Sequence, residues 1–477
     1  MKRSVLALCS LLFLSALVIY GCGGGSMTNP LVPGSSALSV TVTDTPPTGV
    51  SVLSFEVSVV GATLNPGNVD LLSGRGPVRI EVKQLETESG FLNTARVAPG
   101  TYTSLNLTFS NPELTFKNGT NAMLAGCAVG AVCEIKPTGT LTSMVNLPTA
   151  GLTIPGSSSG TGMADEGQSA MGMQLDLNVN TIVSAAMGVD FSQAGAVSVG
   201  QLTRGKEGEF DDVDELKGVV QNLNTTNMAF TLHTMQGDFS ITTDSNTQFG
   251  FESCAANNFS CLQNNIVTQV DAKMMPGGIF LARKIEFEDD AADDELEGVV
   301  FKIDDATHFE MVVLDELRPL NNVNVGNPVA VTLSNPTFQV KAEGLNAPSG
   351  LVSAFEGATD TSQLLPGQTV EIRLTAPATA GPTISMTANR VRLRLTQFTA
   401  NVSGAPVPPN FTVSSLPSLF TNAGITSVQV NTSDQTNFVG VSGVSGLADG
   451  NTLSLRGLLF GNGTNPPVLV AKKVRKR

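Results

Sequence analysis

The chain has 477 residues, room for several domains, with 27 Lys and Arg against 41 Asp and Glu and a net charge of −14. Its 48 Gly and 25 Pro are too few for a collagen-like or low-complexity chain, and a hydrophobic content of 41% excludes global disorder. An acidic surface repels phosphate backbones, so nucleic acid is excluded as an expected partner.

Lys2 and Arg3 precede an apolar run from Ser4 to Ile19. The run is shorter than the ~20 residues of a typical membrane span and fits the core of a signal peptide. It ends in Ile19-Tyr20-Gly21-Cys22, which resembles the lipobox of bacterial lipoproteins, although Tyr20 stands where Ala or Ser is usual. The resemblance implies a signal peptide over 1–21 and lipidation of the Cys22 thiol, hence a membrane partner through an N-terminal lipid anchor. The plain alternative is a secretory signal that ends near a cysteine. Gly23-Gly24-Gly25-Ser26 opens a flexible tether over 22–35. By resemblance to the sorting rule of enteric bacteria, Gly23 after the cysteine points to the outer membrane.

From residue 36 onward the chain reads as all-β. Leu38-Ser39-Val40-Thr41-Val42, Phe55-Glu56-Val57-Ser58-Val59 and Leu105-Asn106-Leu107-Thr108-Phe109 alternate with period two, and Pro/Gly/Asn turns separate such runs. A β-sandwich over 36–202 is expected. Its opening strand ends in Asp44-Thr45-Pro46, Ala98-Pro99-Gly100-Thr101-Tyr102 leads into another strand, and Met173 to Val179 forms a late one. These resemble domain-of-unknown-function family 4382, found in bacterial lipoproteins and secreted proteins. Tyr102 is expected to pack over the sandwich end with its hydroxyl on nearby backbone. Met163, Met171 and Met173 lack the clustered spacing of a copper site.

An acidic linker over 203–212 leads into repeats. Asp214-Glu215-Leu216-Lys217-Gly218-Val219-Val220 recurs as Asp294-Glu295-Leu296-Glu297-Gly298-Val299-Val300. A Thr/Phe punctuation follows at Thr247-Gln248-Phe249, Thr337-Phe338 and Thr436-Asn437-Phe438. Endings of one form recur at Ala282-Arg283-Lys284-Ile285, Ala388-Asn389-Arg390-Val391 and Ala471-Lys472-Lys473-Val474. Three small barrel- or sandwich-like units are expected at 213–290, 294–396 and 397–477, the third without a visible Gly-Val-Val opening. The ordered motifs resemble family 5666 of unknown function, which implies small β-barrel-like repeats and no known reaction.

Cys127/Cys133 and Cys254/Cys261 are close pairs in a chain read as exported, and are expected as disulfides. A zinc site is the alternative, which would want tighter spacing and His partners. The run Glu286 to Glu297 holds eight acids and reads as a solvated hinge. Glu286, Glu288, Asp289, Asp290, Asp293 and Asp294 remain weak candidates for Ca²⁺, although the EF-hand pattern is absent. The basic residues from Lys472 to Arg477 read as a solvated tail on the last strand.

No catalytic residue and no cofactor are expected. His233 and His308 are the only histidines and lie in strand-like runs. Gly156-Ser157-Ser158-Ser159-Gly160 matches the nucleophile-elbow pattern formally but sits in a Gly/Ser-rich loop, where no strand-to-helix turn is read. The resulting expectation is a non-enzymatic envelope lipoprotein that binds an unidentified partner or serves as a spacer. A cation-dependent or carbohydrate-binding module is the second reading, and a hydrolase with dispersed carboxylates the third.

Overall fold

The computed structural model describes residues 36–45, 51–72, 75–87, 90–147, 151–155, 171–202, 212–234, 236–251, 254–275, 279–289, 295–315, 323–342, 344–381, 383–463 and 466–477. Cys22, the tether, Met163, nearly all of the acidic linker, and Asp290, Asp293 and Asp294 lie outside them.

Two sheets form the N-terminal sandwich. In one, Ser36–Thr45 pairs parallel with Met171–Asn178 and antiparallel with Gly90–Val97. Val197–Leu202 closes the other flank of Met171–Asn178. The second sheet is built on the long antiparallel pair Ser51–Asn65 and Ser104–Lys117. Period-two alternation does the work the sequence assigns to it: Leu38, Val40 and Val42 join Leu105, Leu107 and Phe109 in one dry core. Met171 and Met173 are buried members of that core. Tyr102 is buried, and its hydroxyl donates to the Ala98 carbonyl at 2.9 Å.

Three small closed barrels follow, all with one topology. The first uses Asp212–Asn224, Ala229–Thr234, Gly237–Thr242, Val267–Met275 and Ile279–Asp289. The second uses Glu295–Ile303, His308–Asp315, Pro328–Val340, Thr369–Leu374 and Ile384–Leu393. The third uses Leu395–Val402, Asn410–Ser414, Val428–Asn431, Thr452–Phe460 and Val468–Lys476. In each, the first three strands form an antiparallel meander, the third pairs parallel with the fifth, and the fourth returns antiparallel to the first. Closure leaves no open edge around the ring.

The repeated motifs turn out to be partners. The Thr/Phe segment runs parallel to the unit's closing strand, setting Phe249 opposite Ile285, Phe338 opposite Val391 and Phe438 opposite Val474. Thr247 donates its hydroxyl to the Ala282 carbonyl at 2.7 Å and Thr436 to Ala471 at 2.8 Å. Each of these hydroxyls also accepts a backbone N–H, from Asp244 and from Ser433. In the second barrel, Thr337 reaches Asn389 instead, at 3.4 Å.

Hydrogen bonds also locate the missing third opening. The carbonyls of Val220, Val300 and Val402 accept from Asn265, Gly367 and Gly450 at 2.7, 2.7 and 2.9 Å. The third opening therefore reads Ala400-Asn401-Val402. A Cβ on Gly218 would lie 2.7 Å from the His233 carbonyl oxygen, and one on Gly298 2.5 Å from that of Val312, so both positions require glycine. In the third barrel the second strand turns away after Ser414, with Ser415 at a φ of 55°, and the same position holds Ala400.

Both cysteine pairs are closed, with S–S distances of 2.10 Å for Cys127–Cys133 and 2.06 Å for Cys254–Cys261. The basic C-terminal run lies on the last strand, as expected, with its charged side chains half-buried and only Arg477 exposed. Lys472 to Lys476 lie in the closing strand of the third barrel, because Leu469, Ala471 and Val474 are needed inside it. We expect non-reducing mass spectrometry to find no free thiol among the four cysteines. Closing such short loops contributes about 2 kcal/mol each, so reduction should shift the denaturant midpoint of the units concerned downward.

Candidate functional site at the junctions of the units

Because the barrels share one register, equivalent positions can be compared on their outer faces. Lys217, Glu297 and Thr399 occupy one position in the first strand, and Gln269, Glu371 and Ser454 stand opposite them in the fourth. Six residues beyond the alanine of each ending come Glu288, Arg394 and Arg477. Each barrel uses this same face to meet a neighbour.

The first and second barrels meet through charge. Arg394 is 6% exposed. Its Nη1 lies 3.2 Å from Glu288 Oε2, and its Nε lies 3.1 Å from Glu297 Oε2. Lys341 also pairs with Glu288. Lys217 reaches across to Asp315 at 3.1 Å and Glu297 at 3.7 Å. On the second barrel's own surface Arg392 binds Glu371 at 2.5 Å and Arg390 pairs with Glu295. Burial alone would push the carboxyls of Glu288 and Glu371 up, but Arg394 and the cations beside it outweigh burial and hold both below the usual range. Burial likewise opposes the Lys217 ammonium, yet Asp315 and Glu297 raise it. Glu297 itself is pushed up, chiefly by burial.

This corrects the reading of the acidic stretch as a solvated hinge. Glu288, Glu295 and Glu297 are matched by cations of the chain itself, and two of those, Arg390 and Arg394, come from about 100 positions later. Glu286 pairs with Lys284 at 2.8 Å. Nothing is described of the Asp289 side chain, and among the described residues no group of three or more metal-ligating side chains converges. His233 and His308 stand at the surface beside Asp238 and Asp305, at 2.6 and 2.8 Å.

The sandwich touches all three barrels. Arg75 donates to the Leu92 and Gln236 carbonyls, and its guanidinium lies 4.3 Å from the centre of the Phe239 ring of the first barrel. Thr115 bonds the Gly326 carbonyl and Gln84 the Leu314 carbonyl of the second. Gln397 donates to the Lys83 carbonyl at 2.6 Å, and Arg477 to that of Glu86 at 2.6 Å, bringing in the third.

Where sandwich, second and third barrels converge, they line a half-open cavity of about 550 Å³. This is within the size range of small-molecule sites. One wall is the turn Val82–Leu85 and its flanks, carrying Glu81, Lys83 and Glu86. Another is apolar, with Leu53, Val299 and Leu419. The outer face of the third barrel supplies Thr399 and Asn401. Its connection after Ser414, which includes the short helix Ser418–Thr421, forms the roof. At the position equivalent to Lys217 and Glu297 the wall carries the shorter Thr399. Ser415, Thr421 and Thr452 are exposed at its margin.

Glu81 is the buried titratable group of this wall. Oε1 accepts from Phe55 N at 2.7 Å and Ser54 Oγ at 3.2 Å, and Oε2 accepts from Gln84 N at 2.8 Å. Burial outweighs these donors and pushes its carboxyl up to about 7. Lys83 pairs with Glu86. Sequence reasoning misses this cavity, whose walls lie hundreds of residues apart. The seam did leave a signal: Arg390, Arg392 and Arg394 alternate with Val391 and Leu393, which puts three guanidiniums on one outer face.

Residues 217–286, most of the first barrel, match the model of a family described as Domain of unknown function (DUF5666). No curated protein matches the chain, and no solved structure does.

Replacing Arg394 with Ala leaves Glu288 and Glu371 without their strongest partner. We expect a loss of about 3–5 kcal/mol in denaturant unfolding at neutral pH. Both carboxyls sit below the ordinary 4.5 in the fold, so they contribute stability above that pH that is lost on acidification. The gap between wild type and variant should therefore narrow as the pH falls through that range. Glu81 has the opposite sign. Its folded pKa is above the unfolded 4.5, so its contribution declines as pH rises from 4.5 to about 7 and is level beyond. Relative to Glu81→Gln, the wild type should lose roughly 3 kcal/mol over that interval, measured by unfolding at matched pH values.

Proposed function

We propose that this chain is a membrane-anchored envelope lipoprotein whose β body acts without catalysis as a binding and structural module. The reading of the N-terminus rests on Ile19-Tyr20-Gly21-Cys22 and the Gly/Ser run behind it. Under this reading residues 1–21 are removed and lipid on Cys22 holds the body at the outer membrane. Two disulfides within the body suit an oxidising compartment. The sandwich is assigned to family 4382 on its strand-end and Pro-Gly-Thr-Tyr motifs.

The observation that carries a binding role is the cavity, with side chains from three units around it. A site built across interfaces is held in shape by the contacts that hold the units together, so binding and architecture are one task. The acidic balance of the chain keeps nucleic acid out of the set of partners.

The anchor is tested by intact mass and cell fractionation of the native protein beside Cys22→Ser. A lipid-sized mass increment with membrane partition, both lost in the variant, is the expected result. A soluble, unlipidated mature chain would instead make this a secreted protein with a partner outside the cell.

A further inference from the structure

Charge on the walls of the junction cavity is answered inside the protein. Glu81 accepts from Phe55 N, Ser54 Oγ and Gln84 N, and burial, which pushes its carboxyl up to about 7, leaves it only partly ionised at neutral pH. Glu86 is 1% exposed and pairs with Lys83. Most of the uncharged polar groups are engaged as well: Thr399 with Ser454, Thr452 with Asn401, Gln84 with the Leu314 carbonyl, and Gln397 with Lys83 and Thr87. What the space offers an occupant is apolar. Val299, Leu314 and Pro417 are half-buried along it, and Leu53, Leu416 and Leu419 are buried in its lining. Ser415 and Thr421, both exposed, supply hydroxyls at the margin.

We infer that the junction cavity binds an uncharged, largely apolar molecule, an alcohol or ester in preference to an ion of the same length, with its chain against Val299, Leu314 and Pro417 and its oxygen toward the hydroxyls of Ser415 and Thr421. The inference rests on reading the body as a binding module and names the ligand class of that site. An ion would give up its hydration on entering and meet charges that already have partners: Lys83 is closed onto Glu86, and Glu81 is saturated with donors. An uncharged chain has no such cost. Each CH₂ it takes out of water against these side chains tightens binding by up to about fourfold. A single hydroxyl or ester oxygen keeps its hydrogen bonds at the half-open margin, to Ser415 and Thr421 or to water.

The test is titration calorimetry of the full-length Cys22→Ser protein, which needs no detergent, with hexanol, octanol, octylamine and octanoate at neutral pH. Burial of apolar surface lowers the heat capacity, so heats are read at two temperatures and a vanishing enthalpy at one is not taken for lack of binding. Octanol should bind at least tenfold more tightly than octylamine and octanoate, and about tenfold more tightly than hexanol. Thr399→Trp, and independently Asn401→Phe, should each weaken octanol at least tenfold while keeping a cooperative thermal transition; the second variant covers failure of the first to fold. Either charged probe binding as tightly as octanol overturns the uncharged class; where both filling variants abolish that binding too, the binding module itself stands. Octanol binding that both filling variants leave unchanged, equal affinity for hexanol and octanol, or no heat from octanol at either temperature overturns the assignment of the cavity. None of these outcomes bears on the anchor, which fractionation decides separately.

Discussion

A guanidinium taken out of water must be answered by carboxylates, or the fold that buries it does not form. Arg394 is such a group, and its carboxylates come from two barrels: Glu288 from the first, Glu297 and Glu371 from the second. Because the desolvation cost is recovered only in one geometry, this cluster sets how the first two barrels sit against each other. Apolar surface alone would tolerate sliding. The fan of partners around Arg394 does not.

The other contacts of the assembly use the same barrel face with different chemistry. In the first two barrels the outer ladder carries long side chains, Lys217 and Gln269 in one and Glu297 and Glu371 in the other, and the charged ones interlock. In the third it carries Thr399 and Ser454, which are short, and the face meets the turn Val82–Leu85 of the sandwich across a cavity. Arg477 stands where Glu288 and Arg394 stand in the sister barrels, and it too spans a junction, donating to the Glu86 carbonyl. One repeated surface thus serves once as a clamp and once as the wall of a site. Duplication supplied the geometry, and side-chain length decided the use.

Much of the fold was legible because its determinants are local. Alternation placed Leu38, Val40 and Val42 inward, and each barrel's Thr/Phe segment and alanine ending stand out in the sequence; in the first and third barrels the threonine hydroxyl binds the alanine carbonyl. The third opening was hidden because Ala400 and Asn401 replace glycine and valine once the neighbouring strand turns away, so the motif dissolved while its hydrogen bonds persisted. The seam was misread for a different reason. A run of acids looks solvated until the bases that neutralise Glu288 and Glu297 are found at Lys217, Lys341 and Arg394, far away in the chain, and only the fold brings them together. The cavity left no local trace, since its walls come from segments hundreds of residues apart.

The sandwich acts as a hub, and this has a consequence for the order of assembly. Each barrel closes on contacts among fewer than about 110 consecutive residues, so each is able to form as soon as its own segment has emerged. The hub contacts are of another kind: Thr87 with Gln397, Gln397 with Lys83, and Arg477 with Glu86 join residues 310, 314 and 391 positions apart. Until the third barrel exists, the sandwich face that will meet it stands open, with Glu81 and the apolar wall of Leu53 uncovered on that side. The contacts that join the third barrel to the sandwich are thus docking contacts between units that each close on their own segment.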